Sequence, residues 1–189
     1  MSKTLKSLRT AALAGASLGL FAACGSVSSV SSIDNHHVDF ELYRAAASDG
    51  TVHVAVYGNV GSLSRNQLNT IVADQFEIAH IGPEATYSTD PASVDYDNTR
   101  FVVAFNPGPG VNVTNICTVA ADDATTAKPE SPMRAIGAFC RGATEKTWTR
   151  STVRDGGETV DIADLVKSVA HEVIPRPTRD TRCDTTPCL

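Results

Sequence analysis

The sequence predicts an α+β fold, a two-layer sandwich in which a mostly antiparallel sheet of about six strands carries two helices. Three observations lead there. Period-two hydrophobic runs flank short turn signals, two segments switch to helical spacing, and each helical segment follows a group of strands. Hairpin-linked strands imply antiparallel pairing, and a helix with one apolar stripe buries it on one face of a sheet.

Taken in order, Phe40, Leu42 and Ala46 alternate with Glu41 and Tyr43, and Val52, Val54 and Val56 alternate with His53, Ala55 and Tyr57. Ser48-Asp49-Gly50 between them makes this pair read as a β-hairpin. Leu68, Ile71, Val72 and Phe76 then recur at helical spacing behind Ser64 and Gln67, a capping-box pair, so a helix is expected over about 64–79, ended near Gly82-Pro83. Residues 83–98 read as a long surface loop, and the apolar run Phe101 to Phe105 as a strand. Pro107-Gly108-Pro109-Gly110 is a turn, since two prolines remove the N–H groups a phosphate loop needs. Residues 111–120 resume β-like composition, and 121–131 form a second loop. A further hairpin has arms over 133–141 and 146–153 around Gly142 to Glu145. The last helix shows Ile162, Leu165, Val166, Val169 and Val173 on one face, Asp161 and Asp164 near its start, and Pro175 as its stop.

The front of the chain has a different character. Lys3, Lys6 and Arg9 precede an apolar run from Ala11 to Ala23, and no acidic residue occurs before Asp34. That run is too short to span a bilayer and has secretory-signal architecture. The ending Leu20-Phe21-Ala22-Ala23-Cys24 resembles the lipobox of bacterial lipoprotein precursors, with Phe21 where that family usually has Leu. The resemblance covers the first 24 residues. It implies cleavage before Cys24, diacylglycerol on its thiol and acylation (palmitate) of its new amino group. Gly25 follows, and by the family's sorting rule a residue other than Asp there implies the outer membrane, facing the periplasm.

The expected organisation is therefore a lipoprotein signal over 1–23, a lipidated cysteine with a flexible Ser-rich tether over 24–38, an α+β domain over 39–175, and an extended tail over 176–189. Without the signal, 13 Lys and Arg stand against 21 Asp and Glu, a net charge of −8. That balance argues against nucleic acid as a partner. The charge is uneven: residues 24–133 hold 4 basic against 13 acidic side chains, and residues 134–189 hold 9 against 8. Arg134, Arg141, Lys146, Arg150 and Arg154 all belong to the second hairpin or its edge. Arg134 and Arg150 are placed across from each other, a basic ribbon for an anionic partner or, more plainly, for ion pairs with the acidic half.

Apart from Cys24 there are four cysteines, Cys117, Cys140, Cys183 and Cys188. An even number in an exported chain suggests two disulfides, with three possible connectivities. Cys117 with Cys140 is favoured because both fall in expected strands, which leaves Cys183 with Cys188 to close a small tail loop. Cys-x-x-Cys spacing for zinc is absent.

Candidate chemistry is sparse. Asp34-Asn35-His36-His37-Val38-Asp39 gathers metal-type ligands, but neighbouring residues on an extended chain point to opposite sides. His53 and Tyr57 share the polar side of a strand, and His80 and His171 follow or end helices without an acid or nucleophile at fixed spacing. The one Gly-x-Ser-x-Gly match, Gly15 to Gly19, lies in the signal segment. The expectation is a membrane-anchored envelope lipoprotein that binds another envelope protein or an anionic ligand, in an accessory or scaffold role, without catalysis or a cofactor. The alternatives are a periplasmic enzyme or metal-binding protein using His36, His37 or His53, and a small-ligand carrier.

Overall fold

The computed structural model describes residues 27–32, 36–61, 63–93, 98–119, 132–153 and 159–177. The elements run β1 (Val27–Ser32), α1 (His36–Ala47), β2 (Thr51–Tyr57), α2 (Arg65–Ala79), β3 (Thr86–Ser88), β4 (Thr99–Phe105), β5 (Met133–Arg141), β6 (Thr144–Val153) and α3 (Thr159–Val173). The fold is α+β, a single six-stranded sheet in the order β1-β6-β5-β4-β2-β3. Its β1–β6, β6–β5 and β5–β4 pairs are antiparallel, while β4–β2 and β2–β3 are parallel, so the sheet is mixed. Among the described residues three helices pack on one face of it, one more than the sequence pattern suggests.

The extra helix replaces the first arm of the expected first hairpin. In α1 the buried residues are Asp39, Tyr43, Ala46 and Ala47, spaced four, three and one apart, which is helical. The apparent alternation around Phe40 and Leu42 is two residues long and put Tyr43 on the wrong side. Arg44-Ala45-Ala46-Ala47 favours helix intrinsically, and Glu41 pairs with Arg44 one turn away. Ser48 and Gly50 do mark a turn, through the Gly50 N–H to Ala47 carbonyl bond, but it joins a helix to a strand. Because α2 then crosses over between β2 and β3, those two strands are parallel.

α2 starts as its sequence implies. The Gln67 N–H donates to Ser64 Oγ at 3.3 Å, and the Ser64 N–H donates to Gln67 Oε1 at 2.9 Å. The second hairpin and α3 also lie where the pattern places them, with Gly142 and Ala143 as the turn between β5 and β6. Residues 111–119 do not form a strand. Asn115 Oδ1 accepts from the Asn112 N–H at 2.8 Å, and Asn112 Oδ1 accepts from the Thr114 N–H at 2.9 Å. These local bonds compete with a ladder and wind the segment into turns. Within the expected loop 83–98, Thr86–Ser88 pairs with β2 as the short edge strand β3.

At the other edge, residues Val27–Ser32, read from composition as part of a spacer, are strand β1. Ser29 Oγ lies 2.8 Å from Ser151 Oγ and 2.6 Å from Ser168 Oγ, and Ser31 donates to Glu172 at 2.6 Å. Serine reads as linker by composition, yet here its hydroxyls tie an edge strand to β6 and α3.

The main core lies between helices and sheet. Phe101 is its centre, with ring centroids 4.9 Å from Phe139, 5.1 Å from Phe76, 6.0 Å from Tyr43 and 6.1 Å from Tyr87. Offset and edge-on contacts of this kind add about 0.5–1.5 kcal/mol each beyond area burial.

Candidate functional site

The other sheet face decides where a site can form. The strand registers put Ala55, Tyr57, Val102, Ala104, Ile136, Ala138, Cys140 and Trp148 on it, away from the helices. Among the described residues no helix covers this outer face; residues 107–119 fold over its middle instead. Cys117 and Cys140 form a disulfide with Cα atoms 5.7 Å apart. The pairing is the one favoured from sequence, although Cys117 belongs to a turn segment and only Cys140 to a strand. Beside the bridge, Arg100 Nη2 donates to the Cys117 carbonyl at 2.7 Å. Ile116 and Val111 are the segment's own buried side chains.

At the start of this segment a pocket of about 210 Å³ opens on the outer face. Its walls are Pro107, Gly108, Pro109 and Val111, and its floor is Ile136. Arg134 and Arg150 complete it. The two arginines do share a face, but diagonally: Arg134 is opposite Thr152, and Arg150 is opposite Ile136. Both are exposed, and neither forms an ion pair or side-chain hydrogen bond with a described residue. Pairing with the acidic half of the chain therefore does not account for them among the described residues.

The backbone beneath them is fixed. Asn106, with φ of 43°, donates its N–H to the Arg134 carbonyl at 2.8 Å, and its Oδ1 accepts from the Arg134 N–H at 3.1 Å. Its Nδ2 is buried and has no hydrogen-bond partner among the described residues. On the far side of the turn, Asn115 Nδ2 donates to the Gly110 carbonyl at 2.8 Å. The result is two guanidinium groups, without a side-chain partner among the described residues, beside a braced apolar wall, an arrangement that suits one compact anionic group.

Among the described residues the histidines do not gather. His53 is buried on the outer face of β2, opposite the helix-covered face where α1, the carrier of His36 and His37, is packed. His36 and His37 are successive residues of a helix rather than of an extended chain; their side chains lie outside the described residues. Burial holds the His53 imidazole below its ordinary pKa, and the Arg100 charge acts in the same direction against backbone contacts from Asp90 and Ser88. Among the described residues no three His, Cys, Asp or Glu side chains converge on a metal position.

His80 belongs to a group that spacing could not show. Tyr43 Oη lies 2.7 Å from Tyr87 Oη and 3.0 Å from His80 Nδ1. Burial raises both tyrosine pKa values above the ordinary range, so the hydroxyls stay neutral and serve as hydrogen-bond partners in the core. His171 ends α3 with its pKa lowered, by burial first and then by Arg176 and Lys167. Arg176, just past the helix, donates to the His171 carbonyl at 3.1 Å. Cys24, Cys183 and Cys188 lie outside the described residues. Among those residues, no helix is long and apolar enough to cross a membrane.

Compared with family models, curated proteins and solved structures, the chain matches none. Its own residues must carry the functional reading.

Proposed function

We propose that this chain is a bacterial envelope lipoprotein, cut before Cys24, lipidated there and held at the outer membrane with its α+β domain in the periplasm. Its role in this reading is binding, as an accessory or scaffold component, with the Arg134 and Arg150 face as the contact surface. The observation that carries the reading is the order of signals at the front: a basic start, a short apolar run, then Ala22-Ala23-Cys24-Gly25. Several acyl chains on one residue make a firm anchor, since each buried methylene contributes about 0.8 kcal/mol. The Cys117–Cys140 disulfide is in keeping with an oxidising compartment.

Growth with a clickable fatty acid tests the anchor. The wild-type chain is expected to take the label and partition with membranes, and Cys24→Ala to lose the label. Equal labelling of the two would overturn the reading.

A further inference from the structure

We propose that the Arg134–Arg150 pocket seats the phosphate of a phospholipid headgroup, so that the domain lies against the bilayer by its outer sheet face near the Val27 end of β1. The inference rests on the reading of Cys24 as the lipid-bearing residue, and it adds a second, non-covalent contact to that anchor.

Chain reach is the first support. Three residues lead from Cys24 to Val27, at most about 10 Å of extended chain. A strand that starts at Val27 leaves little tether, so an anchored domain sits within headgroup distance. The end of the sheet it presents follows from register. Val27 is opposite Val153, Val153 is opposite Met133, and Asn106 and Pro107 continue from the neighbouring end of β4. The pocket is at that end. Arg134 is opposite Thr152 and Thr152 is opposite Ser28, two strand spacings in all, or about 10 Å.

Charge is the second support. Arg134, Arg150 and the first residue of α2, Arg65, all lie at the Val27 end. Arg65 donates to the Val56 carbonyl there, while the other two lack a partner among the described residues. Of the described acidic residues, Asp161 and Asp164 are also at this end, but on α3, on the helix-covered face. Glu77, Glu145 and Glu172 are at the opposite end of their elements. An acidic body that presents two arginines without a partner among the described residues is oriented by a negative surface, because its acidic parts are repelled.

Size and polarity agree. Sites for whole small molecules run to about 300–1,000 Å³, so about 210 Å³ suits one headgroup group rather than an enclosed ligand. Directly opposite Arg150 stands Val30, 68% exposed, an apolar residue beside the cationic one. A guanidinium pair flanked by Val30 and Pro109 matches the boundary where phosphate meets glycerol and acyl chain.

The test places a photo-reactive residue at that rim. The full chain carrying Val30→p-benzoylphenylalanine is expressed from its own signal in a bacterial host, irradiated, and analysed for phospholipid adducts, with fatty-acid labelling followed in parallel. The expected result is a phospholipid adduct that falls at least tenfold in Arg134→Glu/Arg150→Glu, with labelling at Cys24 and thermal stability unchanged; Arg150→Gln should fall by an intermediate factor. A lipid adduct indifferent to these substitutions, a protein adduct in its place, or no adduct on a labelled chain each overturns the headgroup contact and leaves the anchor standing. Loss of the label itself overturns the anchor, and the contact with it. Abolition of the adduct by millimolar inorganic phosphate, in purified protein reconstituted in phosphatidylglycerol and phosphatidylethanolamine vesicles, would assign the pocket to free phosphate and overturn the lipid.

Discussion

Gly137 in β5 and Val169 in α3 occupy the same point of the helix-covered face: a Cβ built on Gly137 would lie 2.3 Å from Val169 Cγ1. The same atom would meet Val173 Cγ1 at 3.3 Å and Thr149 Cγ2 at 3.5 Å. The absent side chain is what lets α3 settle onto the centre of the sheet, and Thr147 Oγ1, which donates to the Val173 carbonyl at 2.7 Å, holds it there.

Gly137→Ala should therefore lower stability by about 1–3 kcal/mol, the usual cost of overpacking a filled core. Thermal unfolding would show this as a lower Tm. Adding Val169→Ala clears the overlapping methyl, so the double variant should lose less than the sum of the two single losses. Strict additivity would mean that the two residues do not compete for this space.

The disulfide makes a separable contribution. Closing a 23-residue separation between Cys117 and Cys140 contributes about 3 kcal/mol in the chain-entropy model. Reduction, or Cys117→Ser with Cys140→Ser, should lower the denaturation midpoint accordingly. Hydrogen exchange should rise first in residues 107–119 and only later in β5 and α3, because the segment crosses the outer face while the helices pack on the other. Uniform loss of protection would place the bridge in the main core instead.

How far the fold was legible follows from where the physics is local. The β5–β6 hairpin, α2 with its Ser64–Gln67 cap and α3 with its apolar stripe are each specified by neighbours a few residues apart, and sequence reading finds them. α1 was missed because a two-residue alternation imitates a strand while the helical set 39, 43, 46, 47 includes a buried Asp and a Tyr, residues a polarity pattern assigns to the surface. β1 was missed because its partners Ser151, Ser168 and Glu172 are more than a hundred residues away. The Arg134–Arg150 relationship was half visible. Hairpin register puts both on one face, but the pocket wall comes from a turn whose fold depends on Asn112, Asn115 and the bridge. The Tyr43–Tyr87–His80 group left no local trace at all.

His53 gives the acid limb of stability a sign. Its imidazole is held below the ordinary pKa of 6.5, chiefly by burial, so the folded protein resists protonation that the unfolded chain accepts. As pH falls through 6.5 the unfolded state takes up the proton first, and stability declines until the folded imidazole titrates as well. Tm measured between pH 7.5 and 5 should fall less steeply in His53→Gln than in the wild type. His171 is shifted in the same direction, so His171→Gln serves as the comparison and should flatten the curve separately. An unchanged slope in His53→Gln would remove His53 from the acid response.

The tyrosine pair sets the alkaline limb. Burial is the main cause that raises both Tyr43 and Tyr87 above 10.0, and Tyr87 is pushed up further by its neighbour. The unfolded chain therefore releases these protons first, and folding loses stability as pH rises above about 10, with no effect below it. Tyr87→Phe removes one titration but leaves Tyr43 and His80 Nδ1 with one polar partner fewer, at a cost of about 1–3 kcal/mol near pH 8. Tyr43→Phe/Tyr87→Phe should consequently start from a lower Tm at pH 8 and decline less between pH 9.5 and 11 than the wild type. Parallel declines over that interval would show that the hydroxyls ionise with ordinary pKa values in the folded protein, and that the 2.7 Å contact between them does not persist in solution.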